Sequence, residues 1–360
     1  MIKGIFMVLE AASPGGVQPV TESAAPAADS DLAEQLRQTL FSLPPALVIA
    51  LAALLVLLAV AVVFLLVKNS RLRKKLRMGT QAGATGAEPI RVSGFMPGGI
   101  TQIKIGKLHA QGAREYQQDC FAVSDAALIR SHGLLAIVAD GMGGLEDGDK
   151  VSIATVETIL GAFPYLRQES PDRQLLTLAQ QAVQQVNKLL GPEGYRKSGS
   201  TLVMGLLKND RFSFLTMGDS HIYLLRDGAL MLLNREHIFR NELVLRAVNG
   251  EISMQEAYAD ERGDGLVSFI GMGPIKYIDM PAEPVAVRPG DKFILMSDGI
   301  YNALEPDELC AALAGEAEEA VQRLNELIAS KGYFNQDNYT GIILQCEGGG
   351  PAPTAEDQPE

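Results

Sequence analysis

Residues 133–144 of the sequence read GLLAIVADGMGG. The run from Gly133 to Ala139 is short and apolar, which is typical of a buried β-strand. Asp140 follows it directly, and a carboxylate at such a boundary is costly to bury unless it is paired or bound to a metal ion. Gly141 has no Cβ, so its carbonyl oxygen could approach an ion closely. The stretch therefore predicts a strand that delivers a carboxylate to a polar site.

Four further aspartates lie at or beside the ends of apolar runs: Asp119 before CFAV, Asp219 within TMGDSHIYLL, Asp298 at the end of KFILMSDG and Asp337 before NYTGIILQ. Any one of them alone is better explained as a turn residue, because Asp is common in turns. Five in the same context favour a shared site at converging strand ends. Carboxylates without clustered cysteine or closely spaced histidine suit Mg²⁺ or Mn²⁺ rather than zinc.

The surrounding pattern predicts strands, then helices, then strands. Lys292 to Met296 is a second buried-strand candidate, and residues 211–233 alternate around the hairpin signal Asp227-Gly228. Helical spacing appears at 149–163, 171–190 and 315–331. Hairpin-linked strands with helices set apart indicate an α+β layered domain.

Outside this domain, Ala46 to Val67 contains 22 residues without a charge. At about 1.5 Å per residue, a helix of this length spans the roughly 30 Å hydrocarbon layer of a membrane. The sequence therefore divides into a tail (1–44), a transmembrane helix (45–67), a basic juxtamembrane segment and flexible linker (68–100), a globular domain (101–346) and a polar tail (347–360).

The charges that flank the apolar run predict its orientation. Residues 68–77 carry six basic side chains and no acid, whereas residues 1–44 carry two basic side chains and five acids. By the positive-inside rule, the globular domain lies in the cytoplasm of a single-pass protein of the cell membrane, and the basic segment lies near lipid headgroups.

Composition excludes other classes of protein. The formal net charge of -12 argues against nucleic acid as a partner, because phosphate binding needs basic surface. The three cysteines lack CxxC spacing, which argues against a disulfide framework and against a cysteine-based zinc site.

Six motifs in order across about 101–346 resemble those of the metal-dependent protein phosphatase family, also called PP2C or PPM, in its bacterial branch. They are GAREYQQD (112–119), VADGMGG (138–144), SGSTL (198–202), GDSHIYLLRDGAL (218–230), MSDGIYNAL (296–304) and DNYTGII (337–343). The resemblance implies a four-layer αββα sandwich, two antiparallel sheets flanked by helix pairs, here preceded by a single transmembrane helix.

The same resemblance implies a protein serine/threonine phosphatase that uses two Mn²⁺ or Mg²⁺ ions, with a third, weaker ion in bacterial members. A metal-bridging hydroxide would attack the phosphorus of phosphoserine or phosphothreonine. The expected substrates are phosphoproteins made by a bacterial Ser/Thr kinase.

Roles for individual residues also follow from the resemblance. Asp140 would bridge two ions, with the Gly141 carbonyl on one of them. Asp298 and Asp337 would complete the first ion's ligands, and Asp119 would serve the second. Asp219 together with Asp298 resembles the pair that holds the third ion. Arg114 would bind the substrate phosphate, and Asn338 would support Asp337.

Three departures from the family pattern leave an alternative open. Gln117 stands where Asn is usual, Met142 where some members have His, and His221 where the motif has Arg. The alternative is a catalytically silent sensor or scaffold with the same fold. The general acid stays unassigned, and the stretch 234–270 matches the family poorly.

Overall fold

The protein is described by a computed structural model that covers residues 90–91, 99–143, 148–167 and 169–348. These residues belong to the larger of two units of the chain, Lys75–Glu360. The predicted tail (1–44), membrane helix (45–67), most of the linker and nearly all of the C-terminal tail lie outside the described residues. Among the helices that are described, none has the length and apolar character needed to cross a membrane.

Two antiparallel sheets form the centre of the domain. The first has the order β1–β2–β12–β11–β8–β9. Its strands are β1 (Ile90–Arg91), β2 (Ile100–Ala110), β8 (His221–Arg226), β9 (Ala229–Leu232), β11 (Lys292–Met296) and β12 (Tyr339–Gly348). The longest pairing joins β2 to β12, so segments far apart in sequence lie side by side in the middle of this sheet.

The second sheet has the order β10–β7–β6–β4–β3, and the short strand β5 extends it by pairing with β4. Its strands are β3 (Asp119–Val123), β4 (Leu134–Gly143), β5 (Ser198–Ser200), β6 (Leu202–Lys208), β7 (Arg211–Met217) and β10 (Val285–Ala286). Asp227, in the turn between β8 and β9, has a φ of 53°, as the hairpin signal predicts.

The α-helices fall into three groups. Two long helices, α1 (Gly148–Ala162) and α2 (Pro171–Gly194), cover the second sheet, and three others, α5 (Asp298–Tyr301), α6 (Pro306–Ala312) and α7 (Ala317–Lys331), cover the first. Two short helices, α3 (Phe239–Val248) and α4 (Met254–Ala259), lie in the stretch that matches the family poorly. The predicted 171–190 helix has the expected bounds, because the backbone leaves helical geometry at Gly191, where φ is 63°, and only a short helical turn follows from Pro192.

Three apolar cores separate four layers. One fills the space between the two sheets and includes Phe121, Phe212 and Phe293. A second packs the second sheet against α1 and α2, and a third packs the first sheet against α5, α6 and α7. The order helix, sheet, sheet, helix agrees with the expected αββα arrangement, in an α+β fold.

One detail of the prediction was wrong. Strand β4 does not end at Asp140 but continues through Gly143. The reason is that Gly141–Gly143 pair with β5, a strand too short and too small in its side chains to be recognised from the sequence. Asp140 therefore lies inside a strand, with its backbone fixed on both sides.

Candidate active site

Asp119 and Asp140 lie opposite each other on the neighbouring strands β3 and β4. The Asp140 amide donates to Thr201 Oγ1 (3.1 Å), and its carbonyl accepts from the Thr201 amide (2.9 Å). The Gly141 amide donates to the Gln118 carbonyl (3.1 Å), and a Cβ at Gly141 would collide with that same oxygen. Pairing of the strands therefore brings both carboxylates to one edge of the second sheet.

The other sheet supplies Asp298 and Asp337 from its central strands. Asp298 begins α5 directly after β11, and Asp337 lies two residues before β12, which pairs with β11. Gly299 packs so closely on the Asn338 carbonyl that a Cβ there would collide with it. The charge of Asp298 raises the pKa of Asp140, and the hydroxyl of Ser297, next to Asp298, donates to Asp119 (2.8 Å), so the edges of the two sheets meet at this point.

Asp119 gives the strongest indication of a cation site among these acids. It is 5% exposed, and its Oδ2 accepts a hydrogen bond from Ser297 Oγ (2.8 Å). Its Oδ1 is buried without a hydrogen-bond partner. Buried polar atoms in native proteins are nearly always satisfied, so an orphaned carboxylate oxygen that faces further acids marks a place for a cation.

Burial and mutual repulsion raise the pKa values of these carboxyl groups. Burial is the main cause in each case: it raises the pKa of Asp119 to about 7, and that of Asp140 well above the usual range. The charge of Asp298 contributes to both shifts, and the pKa of Asp298 is itself raised, by burial and then by Asp337. A site that disfavours negative charge in this way would be stabilised by divalent cations.

Asp219 lies at the same end of the fold, in the connection between β7 and β8. Burial, and then the charge of Asp298, raises its pKa to about 6. The Tyr301 hydroxyl donates to the Asp219 main-chain carbonyl (3.1 Å), which fixes the backbone at this position. Asp219 is thus close enough to Asp298 for their charges to interact.

Arg114 contacts one of these acids directly. Its Nη2 donates to Asp337 Oδ2 at 2.6 Å, and this hydrogen bond raises the pKa of the guanidinium. The Arg114 side chain is 56% exposed, so part of its forked donor set faces solvent. It can therefore meet an incoming anion at the rim of the site.

Asn338 joins the loops on which these groups lie. Its buried side chain accepts from the Gln118 amide (2.7 Å) and donates to the carbonyls of Gln111 (2.8 Å) and Tyr116 (3.0 Å). Because Arg114 lies within this 111–118 loop, Asn338 fixes the loop that carries Arg114 against the start of β12.

The sequence did not point to Ser297 or Thr340 as neighbours of the acids, and it gave no contact for Gln117. Ser297 and Thr340 lower the pKa of Asp119, in opposition to burial. Ser297 Oγ donates to Asp119 Oδ2 (2.8 Å) and itself accepts from the Thr340 amide (2.9 Å), while Gln117 Oε1 accepts from the Asp119 amide (2.9 Å). Ser297 stands directly before Asp298 at a strand-to-helix junction, and this was a usable signal. Thr340 has no signal of its own, since it reaches Asp119 only through the packing of the two sheets.

His221, at the position where the family motif has Arg, is fully engaged. Its Nε2 lies 2.7 Å from Glu236 Oε1, its Nδ1 lies 3.0 Å from the Tyr223 hydroxyl, and its ring stacks on Tyr301 at 3.8 Å. This substitution therefore fills its site with complete hydrogen bonding and leaves the acids untouched.

Five predicted acids thus gather at one end of the fold. Among the residues that the structure describes, no group of three or more His, Cys, Asp or Glu side chains is close enough together to hold a metal ion. The donor set nevertheless fits Mn²⁺ or Mg²⁺, because it consists of oxygens, includes an orphaned buried carboxylate atom and carries excess negative charge. The cysteines at 120, 310 and 346 are free, as predicted.

Comparison with known proteins agrees with this geometry. The model of the protein phosphatase 2C family matches residues 105–332. The serine/threonine phosphatase Stp of Listeria monocytogenes is 27% identical over 216 residues, which cover 59% of this chain and 84% of that protein. PstP of Mycobacterium tuberculosis, a serine/threonine protein phosphatase, is 28% identical over 237 residues, which cover 62% of this chain and only 44% of that protein.

Solved structures share the fold. The PPM Ser-Thr phosphatase MsPP of Mycobacterium smegmatis, solved with cacodylate, superimposes with a TM-score of 0.54 at 29% identity, covering 67% of this chain and 97% of that one. The catalytic domain of PstP, solved with two manganese ions, gives a TM-score of 0.53 at 24% identity, covering 68% of this chain and 98% of that one.

Proposed function

This chain belongs to the protein phosphatase 2C family, and we propose that it hydrolyses phosphoserine and phosphothreonine in proteins with two divalent cations, Mn²⁺ or Mg²⁺, at the aspartate site. The enzyme class, a metal-dependent serine/threonine protein phosphatase, follows from the family and from its named relatives. The observation that carries the assignment of the site is the buried, unpartnered Oδ1 of Asp119 among further carboxylates.

Each acid has a role in this proposal. Asp140, in strand β4 of the second sheet, would bridge two ions, with the Gly141 carbonyl as a neighbouring ligand. Asp298 and Asp337 would hold one ion from the first sheet, and Asp119 the other from the second sheet. Asp219 and Asp298 would hold a third, weaker ion. When bound, the ions would supply an activated water and neutralise charge on the phosphoryl group.

Arg114 would bind and orient the substrate phosphate. Its exposed guanidinium can offer two parallel donors to phosphate oxygens, a geometry that a lysine lacks. The hydrogen bond to Asp337 keeps the guanidinium at the rim of the site, and Asn338 holds the loop on which it lies. Substrate would then be oriented with its phosphorus facing the acids.

The proposal also covers location and partners. The apolar run at 46–67 and the basic residues at 68–77 support a single membrane-spanning helix with the phosphatase domain (101–346) on the cytoplasmic side. The basic segment would contact lipid headgroups. The substrates would be phosphoproteins, and a bacterial Ser/Thr kinase would supply them.

The activity is tested with the full-length chain and a phosphothreonine peptide. We expect turnover with Mn²⁺, no turnover with a chelator, and a loss of at least about 100-fold in Asp140→Asn. Asp125→Asn is the matched control, since Asp125 is exposed and Asn can keep its hydrogen bond to the Ala127 amide. Turnover that persists in the chelator, or in Asp140→Asn, would disprove the mechanism.

The same samples separate the enzyme from a silent scaffold. Calorimetric titration with Mn²⁺ measures binding independently of turnover. Binding without turnover on any phosphopeptide would favour the scaffold. The complete set of five acids argues against it, because an inactive scaffold has no need to keep them.

A further inference from the structure

A groove opens beside the acids, on the helical side of the first sheet. It encloses a cavity of about 710 Å³ between the β8–β9 hairpin, the stretch from α5 into α6, and the end of α7. Leu230 and Leu232 line it from the hairpin, and Tyr301 and Tyr333 from the helical side. Leu232 is 46% exposed and Tyr333 is 47% exposed, so the apolar lining is open to solvent.

The groove begins at the candidate active site. Tyr301, which lines it, donates its hydroxyl hydrogen bond to the Asp219 carbonyl. Asn302, the next lining residue, donates from Nδ2 to Asp298 Oδ2 at 3.3 Å. A polypeptide whose phosphorylated residue lies at the acids therefore has this groove within reach of its flanking residues.

The lining is negatively charged. Glu305, Asp307 and Glu308 all face the groove, whereas Lys331 is the basic side chain among its described lining residues. Lys331 Nζ lies 2.6 Å from Glu308 Oε1, so this pair neutralises itself. Glu305 and Asp307, both exposed, leave the groove with an excess of two negative charges.

Such a lining is suited to one kind of side chain above others. Arg and Lys place an apolar stem along aromatic and aliphatic surface while their charged ends stay near carboxylates and water. An acidic peptide would be repelled by the same lining. The groove therefore complements a basic stretch of polypeptide that also carries an apolar residue.

We propose that this groove binds basic residues that flank the phosphorylated residue of the substrate, so that the enzyme prefers phosphoproteins with Arg or Lys near the phosphosite. The proposal rests on the phosphatase activity proposed above and adds the class of substrate. Binding in the groove would act mainly on KM, because the contacts form away from the reacting phosphorus.

The test uses the full-length chain with Mn²⁺ and three phosphothreonine peptides of equal length. Each peptide carries one leucine and a pair of arginines, glutamines or glutamates, placed between two and five residues from the phosphothreonine on either side. p-Nitrophenyl phosphate, which has no flanking residues, reports on the reacting centre alone. We expect kcat/KM to be about three- to tenfold higher for the arginine peptide than for the glutamine peptide, through KM, and lowest for the glutamate peptide.

Two variants place this preference in the groove. Asp307→Lys should remove most of the arginine preference, measured relative to p-nitrophenyl phosphate, and Leu232→Ser should raise KM for all peptides that carry the leucine. Glu157→Lys makes the same charge change on α1, on the opposite sheet, and should leave the preference unchanged. The preference should also weaken as salt is added.

The outcomes separate the two proposals. If p-nitrophenyl phosphate is not hydrolysed by the unaltered protein, the proposed function is wrong, and the groove proposal falls with it. If it is hydrolysed but the three peptides react alike, or the glutamate peptide reacts best, the function stands and the groove proposal is overturned. An arginine preference that survives Asp307→Lys, or a peptide KM that Leu232→Ser leaves unchanged, would also overturn it, by placing the flanking residues elsewhere.

Discussion

A buried carboxylate lies at each end of strand β11, and the two are in opposite situations. At its start, Asp291 is 2% exposed and fully bonded: Arg226 donates from Nε and Nη2 to its two oxygens (2.7 and 2.6 Å), and the Arg288 amide donates to Oδ2 (2.6 Å). At its end, Ser297 donates to Asp119, whose other oxygen has no partner.

This difference separates an acid whose charge is compensated within the protein from one of the proposed metal ligands. Asp291 has an opposite charge and three donors, so its burial is compensated within the protein and it holds the hairpin against β11. Asp119 has neutral donors and acidic neighbours, so compensation has to come from outside the chain. A buried carboxylate with an unpartnered oxygen therefore indicates a metal site better than burial alone does.

The largest effect should come from removing the fully hydrogen-bonded carboxylate at the start of β11. Asp291→Ala removes the two carboxylate oxygens that accept from the partly buried Arg226 and leaves it only the Ala286 carbonyl, so we expect it to destabilise the fold by about 3 kcal/mol, the lower end for broken buried pairs. Urea unfolding measures this free energy. Asp291→Asn should cost less, because the amide oxygen still accepts from Arg226. Equal stability of Asp291→Ala and the unaltered protein would remove the contrast between the two ends.

An intermediate effect, on Mn²⁺ binding, is expected for Asp119, whose carboxylate lacks one hydrogen-bond partner. Asp119→Asn should weaken Mn²⁺ binding by about 100-fold, measured by calorimetry, because it removes a proposed ligand. The same change should leave the metal-free protein no less stable, since a neutral amide avoids the cost of a buried charge and can still accept from Ser297. A large loss of stability without metal would show that Asp119 is a structural acid like Asp291.

The smallest effect is a dependence of stability on pH. Burial raises the pKa of Asp119 to about 7 and that of Asp219 to about 6, above the unfolded value of 3.8. The folded, metal-free protein therefore binds more protons than the unfolded chain at intermediate pH, so its stability should fall as pH rises from about 4 to 7.

Urea unfolding in a chelator at pH 5.5 and pH 7.5 checks this sign. We expect the free energy of unfolding to be about 1–2 kcal/mol lower at pH 7.5, and Mn²⁺ to restore more stability at pH 7.5 than at pH 5.5. A metal-free protein that is more stable at pH 7.5 would contradict the raised pKa values.

Part of the fold could be predicted from local sequence patterns. The KFILM run became β11 with the predicted bounds, and the Asp227-Gly228 turn joins β8 to β9. Other features depended on distant partners. The end of β4 was misjudged because Gly141–Gly143 pair with a strand some 57 residues further along the chain, at Ser198–Ser200. The end of the 171–190 helix, by contrast, had a local signal, since Gly191 precedes Pro192 and the backbone leaves helical geometry there.

The candidate site shows the same division. All five acids were found from their places beside apolar strands, but nothing local distinguishes them from Asp291, which also stands beside the KFILM strand. The hydrogen bond from Arg226 to Asp291 joins residues 65 positions apart, and the contact between Ser297 and Asp119 joins residues 178 apart. Such partners are brought together by sheet pairing and are not encoded in either neighbourhood.

The sequence by itself determined strand β11, the β8–β9 turn, the order of the motifs and the choice of candidate acids, because hydrophobic period and turn chemistry act over a few residues. Only the tertiary structure decided which carboxylate is satisfied, which sheets meet at the acids, and where an acidic, aromatic groove opens beside them. Charge compensation depends on distances of about 3 Å between groups that are remote in the chain, and packing alone sets those distances.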